Sequence, residues 1–189
     1  MRRGPPRYDI PKAAPEPLRL VQELVNTVDH EHGREWLATP ALLRDWLVER
    51  DLLPVGIRVR RDDFDRALAL RAAFRELLGA EGELGPRPRE ALERAALAAR
   101  LIFRFQGSDV VLVPSAGGVP GALGLILVPV FAAIQDGSWT RLKACRNCKW
   151  AFYDYSKNRS AAWCSMRLCG NRRKTRAYYR RRRGAGAVK

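Results

Sequence analysis

Cys145-Arg-Asn-Cys148, then fifteen residues, then Cys164-Ser-Met-Arg-Leu-Cys169 is the stretch that decides how the end of this chain folds. A Cys-x2-Cys turn brings two thiolates to one point, and Zn²⁺ favours four such ligands in a tetrahedron. With cysteine at all four positions, no place remains for a catalytic water. The expected cofactor is therefore one structural Zn²⁺ ion held by Cys145, Cys148, Cys164 and Cys169. A unit of about 30 residues builds no core of its own, so metal binding supplies much of its folding free energy. Disulfides or an iron–sulfur cluster on the same four ligands are the alternatives. Between the pairs, Trp150-Ala-Phe-Tyr-Asp-Tyr155 is an aromatic run suited to a hairpin behind the knuckle. Knuckle, hairpin and a helix carrying the second pair make the treble-clef arrangement.

Charge marks out the same unit. The 189 residues carry a formal net charge of +15. Residues 141–189 hold 16 Lys+Arg against one acid, Asp154, while residues 1–140 hold 19 of each sign. The whole excess sits in the last 49 residues, which points to a polyanionic partner for that unit alone. All four cysteines lie there too, and the first 144 residues have none. That distribution suits a metal site in a reducing cytoplasm better than a secreted disulfide scaffold. No apolar signal segment opens the chain, which agrees with a cytoplasmic location.

The rest reads as an α-rich body. Residues 1–17 contain five prolines and no apolar periodicity, and read as a flexible leader. Leu20, Leu24 and Val28 predict a first helix over 18–30. Thr39-Pro40 starts a second, over 41–50, with Thr39 as cap and Pro40 where no N–H is needed. Asp62 or Asp63 is expected to cap a third, ending near Gly79, and a fourth covers 89–100. Leu101–Gln106 and Val110–Pro114 predict two antiparallel strands around a Gly107-Ser-Asp turn. A final helix covers 121–136. Its apolar run, Val119–Ile134, is 16 residues long. A membrane span wants about 20, so a buried helix kinked at Pro129 is the expectation. The fold class is thus α+β: an α-rich amino-terminal domain with a small antiparallel sheet, and a carboxy-terminal treble-clef-like finger. The expected boundaries are a leader over 1–17, a body over 18–140, a finger over 141–184 and a tail over 185–189.

Two groups of residues then carry a family resemblance. Trp163-Cys-Ser-Met-Arg-Leu-Cys-Gly-Asn-Arg172, followed by Lys174, resembles the CGNR zinc finger, named for Cys169-Gly170-Asn171-Arg172. Leu24-Val-Asn-Thr27 and Leu37-Ala-Thr-Pro-Ala-Leu-Leu-Arg-Asp-Trp-Leu47 resemble the ABATE domain found with that finger. The resemblance spans residues 18–183 and implies a prokaryotic transcription regulator that binds DNA through the finger. It also implies an amino-terminal domain that senses a small-molecule effector or dimerises, with Asn26 and Thr27 as candidates for a ligand pocket.

The segment after Cys169 can be tested for a binding face without the family. On a helix at 100° per residue, Arg172, Arg173, Arg176, Arg180 and Arg183 fall within about a 100° sector. Arginine binds phosphate bidentately and reads guanine edges, so duplex DNA is the expected partner. RNA is the alternative, with Tyr153, Tyr155 and Tyr179 stacking unpaired bases. A merely solubilising tail, or a finger that only stabilises an interface, are the plainer readings. An anionic membrane is not expected, because Lys174, Arg181 and Arg182 occupy the face that lipid would need apolar. Arg172 has a local alternative as a partner of Asp154. Usable specificity from one finger suggests a homodimer or a partner protein. The cluster Asp29-His-Glu-His32 reads as a polar helix end. No Gly-rich phosphate loop, nucleophile elbow or carboxylate pair is present, so the chain reads as a regulator and not an enzyme.

Overall fold

The apolar run near residue 120 forms α5, Gly118–Gln135, and the other helices gather round it. The computed structural model describes residues 12–79 and 83–171. In chain order these give α1 (Leu18–Val25), β1 (Val28–Asp29), β2 (Arg34–Glu35), α2 (Pro40–Val48), α3 (Arg61–Leu77) and α4 (Pro86–Ala99). Strands β3 (Leu101–Gln106) and β4 (Asp109–Pro114) lead into α5, and a 3-10 turn (Ser138–Arg141) leads on to β5 (Leu142–Ala144) and β6 (Ala151–Tyr153). The strands pair as three separate antiparallel hairpins, β1 with β2, β3 with β4 and β5 with β6. This is the mixed α+β class, helix-rich with small antiparallel sheets.

Helix α5 is long and apolar enough to cross a membrane by length and composition, with mean hydropathy 1.8, yet half of it is buried within the protein. Val119, Leu123, Ile126 and Val130 enter the core with Val21 and Leu24 of α1, Leu43 and Leu47 of α2, and Leu70 and Phe74 of α3. Each such side chain contributes about 2 kcal/mol on burial. Gly124 sits where α4 and β4 press on α5. A Cβ there would lie 2.7 Å from Ala99 Cβ and 2.8 Å from Pro114 Cβ.

Local signals explain two of the helix starts, those of α2 and α4. Thr39 caps α2 by accepting from the Leu42 N–H at 3.2 Å, with Pro40 at the first helical position. The third helix departs from expectation. It begins at Arg61, its cap position is Arg60, and no side chain caps it. Asp62 and Asp63 lie inside the first turn, where their charge favours the positive helix end without capping it. Helix α4 also starts earlier than expected, because Pro86 fits the first turn without loss of a hydrogen bond. In the β3–β4 hairpin, Gln106 pairs with Asp109, so Asp109 belongs to the strand and Gly107-Ser108 alone make the turn. Gly107 takes φ +62° there.

The first helix is shorter than its apolar period suggests. It ends at Val25, and residues 28–35 fold back as the β1–β2 hairpin. The Asp29 carboxylate receives the Glu31 and His32 N–H groups at 3.0 and 3.2 Å and lies 2.7 Å from His32 Nδ1. The histidine cluster is therefore the turn of a hairpin. Residues 12–14, read from sequence as flexible leader, are held by the rest of the chain. Lys12 O accepts from the Tyr153 N–H at 2.9 Å, and the Ala14 N–H donates to Gln22 Oε1 at 2.6 Å.

Candidate metal centre and its seat on the helical body

The knuckle begins as β5 ends. The Cys145 N–H donates to Trp150 O and the Lys149 N–H donates to Cys145 O, both at 2.9 Å. Lys149 closes this turn at φ +63°. The hairpin returns through β6, in register Leu142 with Tyr153 and Ala144 with Ala151. The second pair is set by a short turn of π-helix, Met166–Gly170. Ser165 caps it, accepting from the Leu168 N–H at 3.3 Å. Asn171, at the end of this turn, keeps helical backbone angles.

These elements bring all four predicted ligands together. The sulfurs of Cys145, Cys148, Cys164 and Cys169 lie within 4.8 Å of one another, and all four residues are buried. Cys148 and Cys164 are 3.6 Å apart, Cys164 and Cys169 3.6 Å, and Cys169 and Cys148 3.5 Å. A tetrahedron with Zn–S bonds of about 2.3 Å has edges of about 3.8 Å. The set fits one zinc ion. The spacing far exceeds the roughly 2.05 Å of a disulfide, and the thiols are free. A polynuclear cluster binds its cysteines on different irons and needs them farther apart. Hydrogen bonds from the Cys145 and Cys148 sulfurs, then burial, push the Cys164 thiol up, and the Cys145 sulfur, with burial, pushes Cys148 up to about 12 against a smaller lowering by Cys164. Four thiolates share so small a space only with a cation among them. Asn147 Nδ2 donates to Cys169 Sγ at 3.6 Å, and Trp150 and Phe152 wall the site.

Asp154, the one acid of the unit, is buried. Its carboxylate accepts from Lys143 Nζ at 2.7 Å and from the Ser156 and Ala161 N–H groups at 2.9 Å each. Burial would raise this carboxyl, but the Lys143 ammonium and the two N–H donors hold it well below the usual range. Arg172, considered above as its partner, lies outside the described residues.

The centre is fastened to the body through β6. Asn26, at the end of α1, donates Nδ2–H to Ala151 O at 2.9 Å and accepts the Ala151 N–H at Oδ1 at 2.8 Å. Gln22, one turn earlier, also donates to Ala151 O, at 3.0 Å. Arg75 of α3 donates to Lys149 O at 2.7 Å and to Val25 O at 2.6 Å. Burial, with Arg71 nearby, pushes the Arg75 guanidinium down to about 10, which leaves it charged at neutral pH. Lys12 Nζ donates to Trp163 O at 2.7 Å and sits 4.7 Å from the Phe152 ring centre. Leu142, Ala151 and Tyr153 join the apolar core of the helices, so body and finger share one interior.

Asn26 and Thr27, the residues offered for a ligand pocket, are buried at this junction. Thr27 Oγ1 donates to Leu24 O at 2.7 Å and accepts from Arg71 at 2.9 Å. Arg71 in turn grips Glu35 with two bonds of 2.7 and 2.6 Å. Tyr153 is buried, which removes it as a base-stacking platform. Tyr155 is exposed, with its hydroxyl donating to Ala13 O at 2.7 Å. Arg172, Arg173, Arg176, Arg180, Arg183 and Tyr179 lie outside the described residues. Sequence reasoning missed Gln22, Arg75 and Lys12, whose partners are main-chain carbonyls with no signature of their own. Two polar residues, Gln22 and Asn26, four apart and in line with the apolar face of α1 were the available signal.

Two family models match the chain. Residues 18–133 match the model of the ABATE family, described as "Putative stress-induced transcription regulator". Residues 141–182 match that of the CGNR zinc finger. No curated protein matches the chain.

Proposed function

Because the chain belongs to the ABATE family and carries a CGNR zinc finger, we propose that it is a zinc-dependent, DNA-binding transcription regulator rather than an enzyme. The observation that carries this reading is the metal centre's position. Four buried cysteines at zinc spacing end in a helical turn at Gly170, and the sequence passes at once into Arg172, Arg173, Arg176, Arg180 and Arg183. The four thiolates would hold one Zn²⁺, whose contribution is to order the finger. The arginines then meet the phosphates of duplex DNA, and those contacts supply most of the affinity. Function divides near residue 140, with the body as the part that responds to an effector or a second copy and the finger as the part that binds. In vitro selection on a random duplex library, with zinc-loaded protein near physiological salt, tests this. An enriched motif supports a sequence-specific regulator, and no duplex binding even at low salt would overturn the reading.

A second reading has one observation in its favour. The finger shares the body's core and is fastened at Ala151 by Asn26 and Gln22. It would then serve to complete the fold and shape an interface, and reversing Arg176 and Arg180 to Glu would leave function intact.

A further inference from the structure

Between the carboxy-terminal end of α3 and the outer side of the finger lies a cleft of about 540 Å³. Leu77, Leu78, Trp139 and Leu142 give it an apolar wall, and Lys143, Arg146, Lys149 and Arg159 give it four cations. No acidic residue lines it among the described residues. Lys143 is neutralised by Asp154. Arg159 uses one nitrogen to donate to Thr140 Oγ1 at 2.8 Å, and no ion pair engages it among the described residues. The end of α3 contributes about half a negative charge. That cannot balance Arg146, Lys149 and Arg159 together. A concave site of this volume, lined by apolar side chains and by three cations that no described acidic residue balances, is suited to an anion, with room for an attached organic group.

We propose that this cleft binds a phosphate group, held by Arg146, Lys149 and Arg159 at the seam between body and finger. The phosphate belongs either to a free phosphorylated molecule or to a nucleic-acid backbone passing the finger. The residues that line it are distinct from the arginines of 172–183, and the proposal goes beyond the regulator reading. Guanidinium and ammonium donors give charge-assisted bonds to phosphate oxygens, and two arginines lining one cleft suit adjacent phosphates. Because the walls come from both α3 and the finger hairpin, an occupant bridges the two parts that Asn26 also joins.

Inorganic pyrophosphate, titrated calorimetrically into the full-length zinc-loaded protein at constant ionic strength, tests the site. The expected result is saturable one-site binding, weakened about tenfold or more in Arg146→Ala, Lys149→Ala and Arg159→Ala, the loss of one charge-assisted bond. Arg159→Ala also loses its Thr140 contact. Retention of one zinc per chain and of the urea midpoint therefore qualifies each variant, and Arg146→Ala and Lys149→Ala carry the test if it does not qualify. No saturable binding, or affinity unchanged within about twofold in the qualified variants, overturns the proposal and places any bound pyrophosphate on the arginine-rich segment. Displacement of duplex DNA by pyrophosphate, with weaker duplex binding in the variants, assigns the phosphate to nucleic acid. Pyrophosphate binding without such displacement assigns it to a free molecule. Duplex binding by the unaltered protein alone, measured separately, judges the DNA reading, so the two can fail independently.

Discussion

Asn26 and Ala151, 125 residues apart, exchange two hydrogen bonds, Nδ2–H to carbonyl at 2.9 Å and N–H to Oδ1 at 2.8 Å. The amide of a helix-end side chain thus acts as one rung of a strand beside β6. Both residues are buried, so neither bond can be replaced by water. Replacing Asn26 with Ala strands the Ala151 N–H and leaves Ala151 O to Gln22 alone. We expect Asn26→Ala to cost about 2–3 kcal/mol, read as a lower urea midpoint at unchanged slope. Its zinc should also exchange faster with a colorimetric chelator, because β6 leads out of the knuckle.

Metal removal should be felt well beyond the finger. Leu142, Ala151 and Tyr153 belong to the same buried cluster as Leu24 and Phe74. One zinc per chain is expected by elemental analysis, and chelation should lower the melting temperature of the whole chain in a single transition. Two transitions, with the helical one unmoved, would show that the finger unfolds alone.

The pair of Arg71 and Glu35 gives a pH dependence with a definite sign. Burial would raise the Glu35 carboxyl, but the bidentate Arg71 guanidinium and the Leu37 N–H hold it below its ordinary 4.5. A lowered folded value means that the contribution is complete above about pH 4.5 and is lost as pH falls below it. Glu35→Gln should cost about 1–2 kcal/mol at pH 7, a figure reduced by the pair's partial exposure. The deficit relative to the unaltered protein should shrink between pH 5 and pH 3.5. Urea midpoints across that range check it.

Gly124 supplies a packing test far from the metal. A methyl there meets Ala99 and Pro114, neither of which can rotate away. Although alanine favours helices, Gly124→Ala should destabilise by about 1–3 kcal/mol, seen as a lower melting temperature.

The metal centre was legible because its information is local. Four cysteines, their spacing and the preference of Zn²⁺ for sulfur tetrahedra suffice. Helix α2 was legible from Thr39-Pro40, which acts within one turn, whereas α4 was legible in its body but not in its start, because Pro86 opens the first turn where the sequence suggested a break. The end of α1 was not. Its apolar period runs on to Val28, but the chain leaves the helix after Val25, with Asn26 bonded to a strand 125 positions away and Asp29 turning the backbone. For the same reason the tether of residues 12–14 reads from sequence as a leader. Its partners are Gln22 and Tyr153, the latter far along the chain.

The central claim is that a zinc-ordered finger delivers arginines to duplex phosphate. The most direct measurement is duplex affinity against salt for the zinc-loaded protein and for the double variant Arg176→Glu/Arg180→Glu. With four or five phosphate contacts, log K should fall with log salt at a slope of about −4, and the variant's slope should drop to about −2. Equal slopes in the two proteins would contradict the account and favour a finger that only completes the fold.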